Sequence, residues 1–352
     1  MDLSYLFFLS SGLFLGWSLG ANDASNIFGT AVGSKMVRFT TIAVIASVFV
    51  ILGAVFGGAG ASETLGNLGA VNALAGSFMV ALSAALAVYL VLRMGVTVST
   101  SQAIVGSIIG WNLYAGRDTD YSTLTEIVAT WITCPLISGI IAVILYLGLK
   151  KLLKCSSVHL LTQDQLTRIG LVVTAAIGAY ALGANNIANV VGVFVESCPF
   201  KPLHLGKVLT LGPEQVLFLL GSIAIGVGIL TYSKKVIMTV GNNLMKMSPM
   251  VALIVVMSQS VVLLLFSSVT LHNWLETSPL PTLPMVPVSS TQAVIGAILG
   301  IGLIKGGRGI NWTIVRKIVV GWGMAPVMAM IICFISLFFL ENVFNLTVYL
   351  PE

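Results

Sequence analysis

The chain of 352 residues is 57% hydrophobic and only 8% charged, with a net charge of +5. Soluble domains carry roughly 25% charged residues, so a water-soluble globule of this composition would expose apolar surface and aggregate, which excludes that class and points to a bilayer. The positive charge does not signal nucleic acid, because the basic residues sit at the ends of apolar runs rather than in an aromatic-laced patch.

Apolar stretches long enough to cross about 30 Å of hydrocarbon fall at roughly 3–30, 39–56, 73–92, 96–113 and 127–149. The first lacks the basic n-region of a cleaved signal peptide and is read as a span. It carries the polar block Gly20-Ala21-Asn22-Asp23-Ala24-Ser25-Asn26. The fourth opens on a run of hydroxyls, Ser99, Thr100 and Ser101, followed by Gln102, and the fifth contains Trp131 and Pro135. A polar link follows, from Lys150 to Arg168. A second series then falls at roughly 168–195, 208–231, 250–270, 288–304 and 318–340.

The second series repeats the first. Gly183-Ala184-Asn185-Asn186-Ile187-Ala188-Asn189 echoes the first polar block. Val288-Ser289-Ser290-Thr291-Gln292 echoes Val98 to Gln102, and Trp322 and Pro326 keep the spacing of Trp131 and Pro135. An odd number of spans per copy inserts the second copy upside down, and inverted repeats with interrupted midplane helices are a transporter architecture. The expected fold is an all-α polytopic membrane protein of 10–12 membrane segments, with two inverted-topology repeats of about five spans each. The first repeat covers 1–154, a cytoplasmic linker 155–167 and the second repeat 168–352.

With both termini outside, the inside segments hold Lys35, Arg38, Arg93, Lys150, Lys151, Lys154, Arg168, Lys234, Lys235, Lys246, Lys305, Arg308, Arg316 and Lys317. That is 14 of the 17 basic residues; Arg117, Lys201 and Lys207 remain outside. The positive-inside rule is met at every inside loop. The location expected is the cell (plasma) membrane. Cys134, Cys155, Cys198 and Cys333 form no CxxC pair, and His159, His204 and His272 lie in connecting segments without ligand spacing. Neither set suggests a disulfide framework or a metal site.

The polar blocks carry the chemistry. Asn22 and Asn26 share a helix face with Asp23 beside them, and Gly20 and Gly183 are expected to let the backbone unwind there. An Asp at mid-bilayer costs on the order of 2.5–3.5 kcal/mol unless it meets a polar cavity or a cation. No Lys or Arg lies in either block, so a bound ion is the expected partner: Na⁺ at Asp23, Asn22, Asn26, Asn185, Asn186 and Asn189. A lone intramembrane Asn would read as an interhelical hydrogen bond, but six Asn or Asp positions in two matched clusters do not. The hydroxyl runs read as N-caps, and helix N-termini bind anions. Gly95, Pro279, Pro281, Pro284 and Pro287 precede them and suggest broken or re-entrant helices pointing inward. Gly106/Gly110 and Gly296/Gly300 suit close packing. A divalent oxyanion beside Asp23 needs co-bound cations to offset repulsion, which is a physical reason for symport.

These paired blocks in inverted halves resemble the inorganic phosphate transporter (PiT) family, sodium- or proton-coupled phosphate symporters with a sulfate-permease branch. The resemblance spans essentially the whole chain. It implies a phosphate pocket between the halves, with Na⁺ (or H⁺) co-transported and no other cofactor. The binding residues would be Asn22, Asp23, Asn26, Ser99, Thr100, Ser101 and Gln102, with Asn185, Asn186, Asn189, Ser289, Ser290, Thr291 and Gln292. It also implies a homodimer.

The sequence departs from the family at three points. Asn186 stands where many members have a second Asp, both Gln102 and Gln292 stand where many have His, and Thr97 stands where Pro is common. Losing the His favours Na⁺ over H⁺. Sulfate is the alternative substrate, but it has no proton to donate to Asp23. An intramembrane enzyme would need a nucleophile–base pair or metal ligands in the spans, and none is there. Trp131 and Trp322 read as packing or interface anchors, Arg117 as a loop charge, and Glu63 and Glu126 as solvated. The Asn345-Leu346-Thr347 sequon bears only on a glycosylating host.

Overall fold

In the computed structural model the chain is described over residues 3–33, 35–69, 71–94, 97–155, 159–205, 209–240, 247–279, 282–307 and 309–350. Gly95, Pro281, Lys207, Lys246, Arg308 and residues 156–158 of the link lie outside the described residues.

The first series of apolar stretches folds as α1 (Leu3–Gly33), α2 (Phe39–Gly57), α4 (Leu74–Arg93), α5 (Thr100–Ala115) and α6 (Tyr121–Cys155), with a short α3 (Ala59–Leu68) after α2. The second folds as α7 (Leu160–Val191), α8 (Pro213–Thr231), α10 (Pro249–Ser267), α12 (Ser290–Ile304) and α13 (Trp312–Asn342). Two further short helices, α9 (Ser233–Val240) and α11 (Val269–Glu276), flank α10. A hairpin of β1 (Leu203–Leu205) and β2 (Leu209–Leu211) joins α7 to α8, with Leu203 opposite Leu211. Among the described residues, α1, α2, α4, α6, α7, α8, α10 and α13 are long and apolar enough to cross a membrane. This is a multi-pass membrane protein. Helices suit it because each satisfies its backbone hydrogen bonds internally, which lipid demands.

The expected unwinding at Gly20 and Gly183 does not occur, since α1 and α7 run unbroken through both Asn blocks. The glycines are there for close approach instead. A Cβ on Gly20 would collide with the Ile225 carbonyl of α8, and one on Gly183 with the Val50 carbonyl of α2. The backbone breaks lie before α5 and α12, where residues 97–99 and 282–289 are non-helical. At 16 and 15 residues, these two helices are about 24 and 22 Å long, short of a full crossing.

Packing comes in matched pairs. α2 lies on α7 as α1 lies on α8, and α5 lies on α13 as α12 lies on α6. In the second pairing the carbonyl of Pro326 abuts Gly106, and that of Pro135 abuts Gly296. Each proline sits inside its helix, so the recurring Pro marks the closest approach to a recurring Gly. α6 and α13 keep broad apolar faces exposed, including Ile132, Leu136, Ile140, Ile331 and Phe338, as lipid-facing helices do.

Candidate functional site

The two short helices set the site. Ser99 and Ser289 have extended backbone and cap α5 and α12, accepting from Gln102 N at 3.3 Å and Gln292 N at 3.2 Å. The first-turn N–H groups of Thr100 and Ser101, and of Ser290 and Thr291, therefore have no intrahelical acceptor. Both N-termini are buried: every hydroxyl from Ser99 to Ser101 and Ser289 to Thr291 is at most 2% exposed.

The Asn blocks of α1 and α7 face these termini, and each block reaches into the other series. Ser290 donates to Asp23 Oδ2 at 2.8 Å, and Asn26 Nδ2 donates to Thr291 Oγ1 at 3.2 Å. Reciprocally, Asn189 Nδ2 donates to Ser101 Oγ at 2.9 Å, and Ser101 lies 3.5 Å from Asn186 Oδ1. The first Asn of each block holds its own series instead. Asn22 Nδ2 donates to Val98 O at 3.2 Å, and Asn185 Nδ2 to Val288 O at 2.7 Å. Those same two carbonyls accept across the centre, Val98 O from Thr291 and Val288 O from Ser101. All fourteen sequence-expected residues are thus brought into one region between α1, α5, α7 and α12; Asn26 is half-buried and the rest are buried.

Asp23 is 2% exposed. It accepts from Ser290 and, at 2.7 Å, from Asn22 Nδ2. Neither donor carries charge, so among the described residues the carboxylate has no cationic side-chain partner of the kind a buried charge needs. Among the fourteen residues, Asn22 Oδ1, Asn189 Oδ1, Gln102 Oε1 and Gln292 Oε1 are buried without a hydrogen-bond partner, as are Asn186 Nδ2 and the Thr100 hydroxyl. Buried polar atoms are nearly always paired. Here the uncommitted set is mostly oxygen, which suits a hard cation, with amide and hydroxyl donors left for an anion. Among the described residues no group of three His, Cys, Asp or Glu could hold a metal ion.

Sequence reasoning missed the Val98 and Val288 carbonyls, because a backbone acceptor leaves no residue-type signal. It also missed Gln259 of α10, wholly buried with both amide atoms unpaired; a lone Gln in an apolar span was the available sign. Cys134 lies against the site, its thiol 3.8 Å from Ser289 O.

The chain is 28% identical over 336 residues to a protein of Methanocaldococcus jannaschii, covering 95% of this chain and 97% of that one. It is 26% identical to one of Pyrococcus abyssi, covering 92% and 94%. Both carry the name "Putative phosphate permease". A solved structure described as "The sodium-dependent phosphate transporter" superposes with a TM-score of 0.73 over 96% of this chain and 100% of that one, at 21% identity, which speaks to the fold. The model of the phosphate transporter family matches residues 19–163, 156–333 and 278–349. The chain belongs to the phosphate transporter family and is a transporter rather than an enzyme.

Proposed function

We propose that the protein is a secondary transporter that moves inorganic phosphate together with Na⁺ through the site between α1, α5, α7 and α12. The observation that carries the reading is Asp23: buried, with no cationic side chain against it among the described residues, and bonded to Asn22, whose own Oδ1 has no partner. In a low-dielectric interior that arrangement calls for a bound cation. The first turns of α5 and α12 offer free N–H groups, and Thr100 and Asn186 offer side-chain donors, for a tetrahedral oxyanion. Phosphate and cation then stabilise one another, which is the thermodynamic content of coupling.

The matched packing supports two inverted repeats, 1–154 and 168–352, with the link 155–167 and the basic loops inside and both termini outside. The exposed faces of α6 and α13 are available to lipid or to a second copy. The test is labelled phosphate uptake into proteoliposomes, with and without an inward Na⁺ gradient and with excess sulfate. Uptake that requires Na⁺ and resists sulfate is expected. Accumulation of sulfate in place of phosphate, under either a Na⁺ or a proton gradient, would transfer the site to that anion.

A further inference from the structure

A cavity of about 440 Å³ lies where α2 and α7 end and α8 begins, at the helix ends opposite Lys35, Arg38, Arg168 and Lys234. Its walls come from three separated parts of the chain. α3 contributes Ser62, Glu63 and Asn67; the turn after α7 contributes Gly192 and Glu196; the first turn of α8 contributes Glu214. Among the described residues three carboxylates line it, and no Lys or Arg does.

Two features separate this cavity from an ordinary acidic surface. Ser62 is 6% exposed and its hydroxyl has no hydrogen-bond partner. That hydroxyl faces the bare side of Gly192, where a built Cβ would stand 3.5 Å away, so an uncommitted buried oxygen looks into the acidic space. The cavity also meets the central site through one helix. Gly192 follows Asn189 by three residues, and its N–H still bonds Ala188 O in helical register, which puts the cavity floor about 4.5 Å along the axis from a central-site amide.

The geometry points to an outer cation-binding vestibule, in which Glu63, Glu196, Glu214 and Ser62 hold Na⁺ at the outer mouth before it reaches Asp23. The inference rests on the Na⁺-coupled reading above. Clefts lined by one sign of charge raise the local concentration of the opposite ion by roughly tenfold or more. The same field repels a phosphate dianion. The mouth therefore gathers the cation and contributes nothing to phosphate recognition, which falls to the helix N-termini deeper in.

The test reads the vestibule without relying on transport. Asn67 is exposed and lines the cavity. Cys134 and Cys333 are buried, so a C155S/C198S/N67C protein presents one accessible thiol. A cationic methanethiosulfonate reagent is expected to label it roughly tenfold faster than an anionic one at low salt, after correction for intrinsic reactivity. Na⁺ should slow labelling more than an equal concentration of N-methylglucamine. E63Q/E196Q/E214Q should remove both effects, whereas S62A should remove only the Na⁺-specific slowing. Absence of charge preference, or equal slowing by both cations, would overturn the inference.

In uptake assays the triple variant should raise the Na⁺ half-saturation several-fold and leave the phosphate KM at saturating Na⁺ unchanged. The reverse pattern would also overturn it. A parent protein that takes up no phosphate under a Na⁺ gradient would defeat the transport reading, while the labelling result would still decide the vestibule.

Discussion

The Ser290 hydroxyl of α12 donates to Asp23 Oδ2 of α1 at 2.8 Å, tying a helix of the second series to the one carboxylate in the core of the first. Asp23→Asn keeps the shape and an acceptor for Ser290 but removes the charge. Losing one charge-assisted contact costs about 1.5–3 kcal/mol. The apparent Na⁺ affinity for phosphate uptake is therefore expected to fall at least tenfold, with the unfolding temperature in detergent nearly unchanged. An unaltered Na⁺ dependence in this variant would take Asp23 out of the cation site.

Asn186 is the sequence counterpart of Asp23, and on the Na⁺-coupled reading proposed above the difference between them sets how much cation the site would hold. Asn186 Oδ1 already accepts from Asn189 at 2.8 Å, while its Nδ2 has no partner. Asn186→Asp thus keeps the existing acceptor and exchanges an unused donor for a second buried charge, which needs its own counter-ion. The expected result is a steeper Na⁺ dependence of uptake, with a higher Hill coefficient and weaker transport at low Na⁺. A curve of unchanged steepness would mean that the charge is neutralised by some other route.

The ten apolar stretches were legible because hydropathy alone reports a helix that must be apolar all round, and each became one helix, eight of them long enough to cross and α5 and α12 too short. What failed to show has identifiable causes. α3, with the sequence AGASETLGNL, is too short and too polar for a span search, yet it forms one wall of the acidic cavity. Gly20 was read as a point of unwinding, because glycine serves unwinding and close approach equally well and only the Ile225 carbonyl decides between them. Glu63 was read as simply solvated. It is exposed, but the chain brings it to a shared cavity with Glu196 and Glu214, more than 130 residues on. The fourteen candidate residues stand out in the sequence because duplication marks them. Their cross-series pairing was not, because it depends on which helix N-terminus faces which Asn block.

The Pro–Gly contacts predict a stability effect one helical turn beyond the candidate site. Gly106 and Gly296 meet the carbonyls of Pro326 and Pro135 without room for a Cβ. Gly106→Ala and Gly296→Ala should each destabilise by about 1–3 kcal/mol through overpacking, seen as a lower melting temperature in detergent. Gly148 on α6 has nothing within 4 Å. Gly148→Ala should be neutral or stabilising by up to about 1 kcal/mol from helix propensity. Equal effects at the three positions would contradict the close-packed contacts.

Asn22 and Asn185 occupy equivalent places in the two blocks, but the structure uses them differently. Asn185 is committed at both ends: its Nδ2 donates to Val288 O at 2.7 Å, and its Oδ1 accepts from Val288 N at 3.1 Å. It clamps the segment that positions the α12 N-terminus. Asn22 also donates, to Val98 O and Asp23, but its Oδ1 has no partner and remains open to a ligand. Asn185→Ala strands a buried backbone N–H, at a cost of about 1–3 kcal/mol, and should lower the melting temperature more than Asn22→Ala does. Asn22→Ala removes the uncommitted oxygen beside the carboxylate and should raise the Na⁺ half-saturation more than Asn185→Ala does. Measuring both quantities on both variants checks the assignment: a single residue dominating both would mean the two amides share one role, as their sequence equivalence suggests.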